Sequence, residues 1–350
     1  MNVKALLTLL FTLVAGSFSQ AQSFAGLGED ADGFALPVLG DQFVFPEDHG
    51  PHPAFRIEWW YLTANLIGAD GRDYGAQWTL FRSAREPRAD ATWQSPQTWM
   101  GHAALTTPEA HYAAERFARG GSGQAGAVAS PFAAWIDDWE MSGSDTLGEL
   151  RLTARAGGFA YDLTLDAQGP LVFHGQDGHS VKSAEGQASR YYSQPFYEVT
   201  GEIETLAGPM QVTGTAWLDR EYSSQPLGRT QSGWDWFAFT FPDGHRLMAF
   251  ELRDSQNADY QSGSWIAPDG RVTPLQPGDF EAEPNAWTDV DGRRIPTSWS
   301  FTYPAQGVDV ELTAVNPNAW NDLVFAYWEG PFRFSGTHNG TGYLEMTGYE

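Results

Sequence analysis

The segment Gly214-Thr215-Ala216-Trp217-Leu218-Asp219 returns near the end of the chain as Gly340-Thr341-Gly342-Tyr343-Leu344-Glu345. An aromatic–glutamate pair precedes each copy, at Tyr197-Glu198 and at Trp328-Glu329. The first copy closes the run from Met210 to Leu218, which alternates with the period of two residues typical of a β-strand. A segment that occurs twice at corresponding places indicates two copies of one folding unit.

A hairpin upstream of each copy repeats as well. Each hairpin begins at an aromatic pair, turns at Asp-Gly and ends in an arginine: Trp60-Tyr61, Asp70-Gly71 and Arg82 in the first, and Trp236-Phe237, Asp243-Gly244 and Arg253 in the second. Further runs with a period of two predict strands at 56–66, 74–81, 150–153, 161–165 and 199–205. The sequence therefore predicts an all-β fold of two tandem antiparallel barrels or barrel-like sandwiches.

Composition agrees with this fold and excludes several functions. The 350 residues include 50 aromatic side chains and 38 glycines, a mixture that favours strands and tight turns. The formal charge of −24 repels phosphate groups, which argues against nucleic acid or an anionic membrane surface as a partner. The chain has no cysteine and only two lysines, Lys4 and Lys182. Disulfides and thiolate metal sites are therefore excluded.

The N-terminus has the pattern of a secretory signal peptide over residues 1–21. Lys4 supplies the positive charge, the apolar run Ala5–Val14 is too short to span a bilayer, and Ser19-Gln20-Ala21 offers small residues for cleavage. We expect an exported protein without an integral membrane segment in the mature chain, periplasmic if the source is Gram-negative. The predicted domains are 22–221 and 222–350.

Four spaced motifs resemble one known family. They are Phe45–Pro53 with Glu58-Trp59-Trp60-Tyr61, Asp219-Arg220-Glu221 with Ser224–Leu227, Gly233–Phe237, and Tyr327–Gly330 with Gly342–Glu345. In this order they resemble the family that contains carotenoid 1,2-hydratase (hydroxyneurosporene synthase) and the AttH-like secreted proteins. The resemblance implies two tandem lipocalin-like β-barrels, which agrees with the internal repeat.

The resemblance also implies a catalytic acid. In the hydratases the proton donor is an Asp two residues after an aromatic, and the matching residue is Asp219 after Trp217. These side chains share one strand face, and an Asp in an apolar barrel has a raised pKa, so that it stays protonated. The hydratases also carry a His and a Trp upstream of the Asp, whereas residues 190–195 contain neither type. Tyr191 is the third expected catalytic residue.

A wider set of residues is expected around the ligand. It consists of His49, His52, Arg56, Glu58, Trp60, Tyr192, Glu221, Trp234, Asp235 and Trp236. Structural roles compete with this interpretation: Arg220 pairing with Asp219 and Glu221, an Arg56–Glu58 plug capped by Trp60, and core roles for Trp234 and Trp236. His49 and His52 lack helical spacing and a His-Glu-x-x-His motif, so we expect capping or proton transfer from them and no metal.

Two functions remain open at this point. One is an enzyme, a hydratase or isomerase that protonates a C=C bond of an apolar unsaturated molecule and needs no cofactor. The other is a carrier for an isoprenoid- or lipid-like ligand, working with an ABC-type permease as the AttH-like resemblance implies. A serine hydrolase is not expected, because the chain contains no Gly-x-Ser-x-Gly elbow.

Overall fold

The computed structural model describes residues 31–88 and 94–349, so the predicted signal peptide at 1–21 lies outside the described residues. The described residues form antiparallel strands and two short 3₁₀ turns, Glu47–His49 and Pro304–Gln306, and contain no α-helix. Two barrel-like sheets result, the first nearly closed and the second a half-barrel. The predicted all-β fold of two tandem barrels is confirmed.

Thirteen strands build the first sheet. They are β1 (Ile57–Gly68), β2 (Asp73–Ala84), β3 (Gln97–Thr106), β4 (His111–Arg119), β5 (Ala125–Ala129), β6 (Phe132–Ile136), β7 (Trp139–Gly143), β8 (Glu149–Ala156), β9 (Phe159–Ala167), β10 (Val172–Phe173), β11 (His179–Val181), β12 (Ala188–Thr205) and β13 (Gly208–Ser223). The order is β4-β3-β2-β1-β13-β12-β9-β8-β7-β6-β5, and β10 and β11 both pair with β12. In the first sheet, the last strand, β13, thus lies beside the first strand, β1.

Ten strands build the second sheet. They are β14 (Gln231–Thr240), β15 (Arg246–Asp254), β16 (Tyr260–Ile266), β17 (Val272–Leu275), β18 (Glu281–Val290), β19 (Arg293–Tyr303), β20 (Val308–Ala314), β21 (Trp320–Asn321), β22 (Tyr327–Gly336) and β23 (Gly340–Met346). The order β17-β16-β15-β14-β23-β22-β20-β19-β18 follows the same path as the first sheet. The two halves therefore repeat one topology.

Strand register refines the repeat that the sequence suggested. Tyr61 lies opposite Asp219 in the first sheet, and Trp236 lies opposite Glu345 in the second. The structural partner of Trp236 is therefore Tyr61, one residue away from the Trp60 of the sequence alignment. The aromatic–glutamate match also fails, because Glu198 is exposed and lies opposite Thr215, whereas Glu329 is buried opposite Glu345.

Three buried clusters form the core, and only the third of them joins the two halves. The first fills the first barrel, with residues such as Trp78 and Leu218, and the second fills the second sheet around Phe239. The third lies between the sheets and joins Trp217 of the first half to Phe250 of the second. Whether each half folds alone, as the limits 22–221 and 222–350 imply, stays a prediction.

Among residues 31–88 and 94–349, no helix has the length and apolar character that crossing a membrane requires.

Candidate active site

Alternation along β13 divides the predicted site residues between two faces. Successive side chains of a strand point to opposite sides. Leu218 packs in the core of the first barrel, whereas Trp217 belongs to the cluster between the sheets. Asp219 and Glu221 lie on the Trp217 face, and Arg220 lies on the other. Arg220 therefore pairs with neither of its acidic neighbours, contrary to that structural alternative.

A mainly apolar cavity lies between the sheets and not inside either barrel. Its volume is about 280 Å³. Aromatic and aliphatic side chains from both halves form most of its wall, among them Ile57, Trp59, Tyr61, Phe81, Trp99, Leu227, Trp234, Trp236, Phe250 and Leu252. The charged side chains in the wall are Lys182, Asp219, Glu221 and Glu345. The sequence placed Asp219 in an apolar barrel; the apolar surroundings are present, but the second half of the chain contributes them.

Among the residues that the structure describes, the side chains that donate hydrogen bonds to Asp219 are all uncharged. The Tyr191 hydroxyl donates to Oδ2 at 2.7 Å, the Trp217 Nε1–H donates to Oδ1 at 2.6 Å, and the Ser193 hydroxyl donates to Oδ1. These bonds lower the pKa of the carboxyl, but burial acts more strongly in the opposite direction and raises it to about 7. Asp219 is therefore able to donate a proton near neutral pH.

A histidine behind Asp219 was not foreseen from the sequence. His174 follows β10, which pairs with β12 so that Val172 lies opposite Ser193. Its Nε2 lies 2.7 Å from the Ser193 Oγ, and its Nδ1 lies 2.9 Å from the Ser264 Oγ. Burial lowers the His174 pKa to about 3, so the ring is neutral. Since Ser193 donates to Asp219, the neutral ring donates through Nε2–H.

Residues 190–195 contain no histidine. The chain before β12 runs antiparallel to it at β10, and this pairing brings His174 to the site from outside that segment. The sequence signal that could have indicated His174 was the short run Val172–His174. This run is too short to show a strand period, so its position next to β12 could not be predicted. The His174 ring packs against Tyr191 at a tilt, with ring centroids 4.2 Å apart, and lies roughly parallel to the Trp217 ring at 6.3 Å. The group around Asp219 therefore comprises one histidine, one serine and two aromatic side chains.

Lys182 is a second residue that sequence reasoning missed. Its Nζ lies 3.0 Å from the Glu221 Oε1 and lies over the rings of Tyr191, at 4.6 Å, and Phe250, at 4.4 Å. Ser189 also donates to Glu221. The carboxylate of Glu221 is thus matched by a cation, unlike that of Asp219. The scarcity of lysine was the signal that could have drawn attention to this position.

The second half contributes the facing wall. Trp236 packs edge-on against Trp217, at 6.2 Å, and against Tyr61, at 5.4 Å. Trp234 donates from Nε1 to the Glu345 Oε1 at 2.8 Å. Both tryptophans therefore form part of the cavity wall and are not confined to a core.

The carboxylate of Glu58 lies apart from this cavity, in the first barrel. Arg82 donates to its Oε1, Arg220 donates to its Oε2 at 2.5 Å, and the His52 Nδ1 lies 3.0 Å from Oε2. The two guanidinium groups hold the pKa of this fully buried carboxyl well below its usual range. The other ring nitrogen of His52 lies 2.9 Å from the Asp48 Oδ1. This cluster is an ion-pair network and not part of the cavity wall.

Four further predicted pocket residues also lie outside the cavity wall. The guanidinium of Arg220 stacks over Trp60 at 3.8 Å. Tyr192 and His49 share a hydrogen bond of 2.7 Å, and burial lowers the His49 pKa to about 4. Arg56 donates from Nε to the Ser224 carbonyl at 2.7 Å. The Arg56–Glu58 pair considered from the sequence is therefore not present.

Asp235 lies on β14 of the second half, at the strand position that corresponds to Trp60 in the first half. Arg253 donates to its Oδ2, and the Tyr349 hydroxyl lies 3.3 Å from the same atom. Burial raises the Asp235 pKa to about 6 although Arg253 opposes this change. Of the thirteen predicted residues, five line the cavity, namely Tyr191, Asp219, Glu221, Trp234 and Trp236, and Trp217 lies beside them through its hydrogen bond to Asp219.

No group of three or more side chains in residues 31–88 and 94–349 has the arrangement of a metal site. What the cavity offers chemically is a carboxyl of raised pKa beside π-faces. These features define a lipocalin-like β protein of two barrel-like sheets, with an acid in an apolar cavity between them.

The chain belongs to the AttH-like family, which it matches over residues 37–349. An AttH-type protein from Nitrosomonas europaea has a similar crystal structure, with a TM-score of 0.80 and 30% identity over 91% of this chain and 100% of that one. Kievitone hydratase from Nectria haematococca shares the fold, with a TM-score of 0.66 and 16% identity over 90% of this chain and 95% of that one. No curated protein sequence matches the chain.

Proposed function

We propose that this protein adds water across a C=C bond of a small apolar, isoprenoid-like molecule held in the cavity between its sheets. Asp219 carries the proposal. Its carboxyl is fully buried, has a pKa of about 7 and lines a cavity whose wall is mainly apolar. An acid whose pKa lies near the working pH is suited to proton donation.

Each surrounding group has a role in the proposed reaction. Protonated Asp219 transfers its proton to one alkene carbon, and the faces of Trp217, Trp236 and Tyr191 stabilise the cation that forms on the other. The Tyr191 and Ser193 hydroxyls then stabilise the Asp219 carboxylate by the hydrogen bonds already described. Water attacks the cation and gives the alcohol. Loss of a proton from a neighbouring carbon instead would give an isomerised alkene.

Two likenesses support this choice of reaction. One fold relative is by name a hydratase, of kievitone. The motif around Asp219 resembles that of carotenoid 1,2-hydratase, although His174 comes from a different place in the chain. We propose that the protein works after export, in the periplasm if the source is Gram-negative.

A carrier is the second candidate. The cavity wall is mainly apolar and aromatic, which suits the retention of a lipid- or isoprenoid-like ligand without chemistry. In that case Asp219 would give one hydrogen bond to a polar end of the cargo, and an ABC-type permease would be the partner.

The test compares the chain from residue 22 onward with Asp219→Asn and with the control Asp162→Asn. Asp162 lies on β9 of the same sheet but is exposed and paired with Arg151 at 2.5 Å. Each protein is incubated with geraniol and with farnesol in ¹⁸O-water, and retained ligand is measured by native mass spectrometry. Incorporation of ¹⁸O that Asp219→Asn lowers by roughly 100-fold or more, with retention intact, supports the hydratase. Equal retention in all three proteins without ¹⁸O in any product leaves the carrier.

A further inference from the structure

Two carboxyl groups face each other across the last hairpin, on the side of the cavity that the second half provides. Glu329 on β22 lies directly opposite Glu345 on β23. Glu345 forms part of the cavity wall, and Glu329 lies behind it with 1% of its surface exposed. Two carboxylates side by side in an apolar interior repel each other strongly. A pair in this position is stable only if something reduces its charge.

Nearby donors are uncharged. Tyr61 donates to the Glu329 Oε1 at 2.6 Å, Trp234 donates to the Glu345 Oε1 at 2.8 Å, and Asn321 donates to the Glu329 Oε2 at 3.4 Å. Within the described ranges, no Lys, Arg or His side chain forms a salt bridge with either glutamate. A proton shared by the pair is the remaining way to remove one of the two charges.

We propose that Glu345, sharing one proton with Glu329, is a second acid/base group of the cavity and takes the proton of the attacking water. This inference rests on the proposed hydration. Asp219 supplies the proton that forms the new C–H bond, and the oxygen of water forms the C–O bond to the cation. The oxonium loses its proton to Glu345, which gives the neutral alcohol. Transfer of that proton back to Asp219, through solvent, restores the starting state.

The ionisable groups that face the pair are compatible with this role. They are Tyr61, Tyr161, Tyr327 and Tyr343, whose pKa values burial raises well above the usual range, together with Asp219 and Glu221. The tyrosines therefore stay neutral, whereas Glu221, and Asp219 once it has given up its proton, add negative charge. Burial and the neighbouring carboxylates raise the pKa of Glu345 to about 7 and hold that of Glu329 well above its usual range.

A relay behind the pair resembles the one behind Asp219. The His102 Nδ1 lies 3.0 Å from the Tyr327 hydroxyl, and their rings stack with centroids 5.7 Å apart. Tyr327 in turn donates to Glu329. Burial lowers the His102 pKa to about 3, so this ring is neutral, as is that of His174. Asp219 and the glutamate pair are thus each supported by a hydroxyl and a neutral histidine, and both histidines belong to the first half.

The experiment measures kcat, KM and their pH dependence with geraniol and farnesol for wild type, Glu345→Gln and Glu329→Gln. Glu198→Gln is the control, because it removes an exposed carboxylate from β12. Carbonyl infrared spectra of the ligand-free proteins at pH 7 report protonated buried carboxyls independently of turnover. We expect Glu345→Gln to lower kcat roughly 100-fold with KM retained, and to remove the fall in rate on the acid side of the optimum.

The variants separate a chemical role from a structural one. Glu329→Gln should move the acid limb to higher pH, because ionised Glu345 loses the shared proton that stabilises it, whereas a structural defect would lower the rate at every pH. In the infrared spectrum both substitutions should change the protonated-carboxyl bands, which Glu198→Gln leaves as in wild type.

Three results would overturn the inference. A Glu345→Gln enzyme with wild-type kcat and both pH limbs would refute it while leaving the hydratase intact. An unchanged carbonyl region in both glutamate variants would show that the pair holds no proton. A wild type without turnover on either alcohol would refute the proposed hydration, and the catalytic role of Glu345 with it.

Discussion

Glu58 and Asp219 are both buried carboxyls of the first sheet, yet their surroundings give them opposite properties. Glu58, inside the barrel, accepts bonds from two guanidinium groups, and its pKa lies well below the usual range. Asp219, on the outer face, accepts bonds from two hydroxyls and an indole, and its pKa rises to about 7. Burial is common to both sites, so it does not by itself make a carboxyl a proton donor. The hydrogen-bond partners make the difference. Cationic partners keep the carboxylate ionised, whereas uncharged donors allow the carboxyl to hold a proton near neutral pH.

The largest expected effect comes from removing the charge of Glu58. Glu58→Gln leaves the buried cations Arg82 and Arg220 without their counter-ion, so we expect a loss of about 3–5 kcal/mol in the free energy of unfolding. Urea denaturation at pH 7 measures it. Asp162→Asn, which breaks an exposed pair with Arg151, is the control and should cost less than about 1 kcal/mol. Similar losses in both variants would mean that burial does not distinguish the two pairs.

A pH series of unfolding measurements tests the other carboxyl. The pKa of Asp219 is raised above its unfolded value, so its contribution to stability is complete below pH 3.8 and is lost as pH rises to about 7. Asp219→Asn lacks this loss. Relative to wild type, the variant should gain up to about 4 kcal/mol in unfolding free energy between pH 4 and pH 8.

For Glu58 we expect the contribution to the free energy of unfolding to change with pH in the opposite direction. Its pKa is depressed, so its contribution is present above its unfolded value of 4.5 and is lost as pH falls through the lower, folded value. The expectation for Asp219 is tested by urea titrations of wild type and Asp219→Asn at pH 4, 6 and 8. Parallel stability curves for the two proteins would show that Asp219 is ionised in the folded state throughout this range.

The smallest expected effect compares two adjacent tyrosines. Tyr191 donates to Asp219, whereas Tyr192 points into the barrel and bonds with His49 and the Asp48 carbonyl. Tyr191→Phe removes one donor from the ionised carboxyl and should move the alkaline limb of the pH–rate profile upward by about one pH unit. Tyr192→Phe should leave the profile in place, and each change should cost about 1 kcal/mol of stability. An equal shift in both variants would contradict the division of faces.

The sequence predicted the fold because its signals are local and occur twice. Strand periodicity, Asp-Gly turns and repeated motifs at 214–219 and 340–345 specify hairpins whatever lies around them. The alignment of the hairpins failed by one residue because Trp60 and Tyr61 are both aromatic, and only the register with Asp219 distinguishes them. Adjacent residues of a strand lie on opposite faces. An error of one residue therefore places Trp60, which lies inside the barrel, at the position of Tyr61, which lines the cavity.

The candidate site was predicted only in part, since it depends on contacts between distant segments. Asp219, Trp217 and Tyr191 form a local group that a motif can indicate. The facing wall around Glu345 comes from a sheet about 120 residues away, and nothing in the local pattern specifies that the sheets meet there. His174 and Lys182 reach the site because the irregular segment between β9 and β12 folds back along β12. Periodicity carries no information about such a segment.

The two halves touch reciprocally: Tyr61 of the first half reaches Glu329 of the second, and Trp236 of the second half reaches Trp217 of the first. Two separate identical subunits meeting in this way would form an isologous dimer, and every group on one wall would have its copy on the other. Joining the halves in one polypeptide removes that constraint. Each half can then accumulate its own substitutions, so that an aspartate stands at position 219 and a glutamate at position 345. Covalent linkage thus allows an asymmetric chamber to form on a symmetric scaffold.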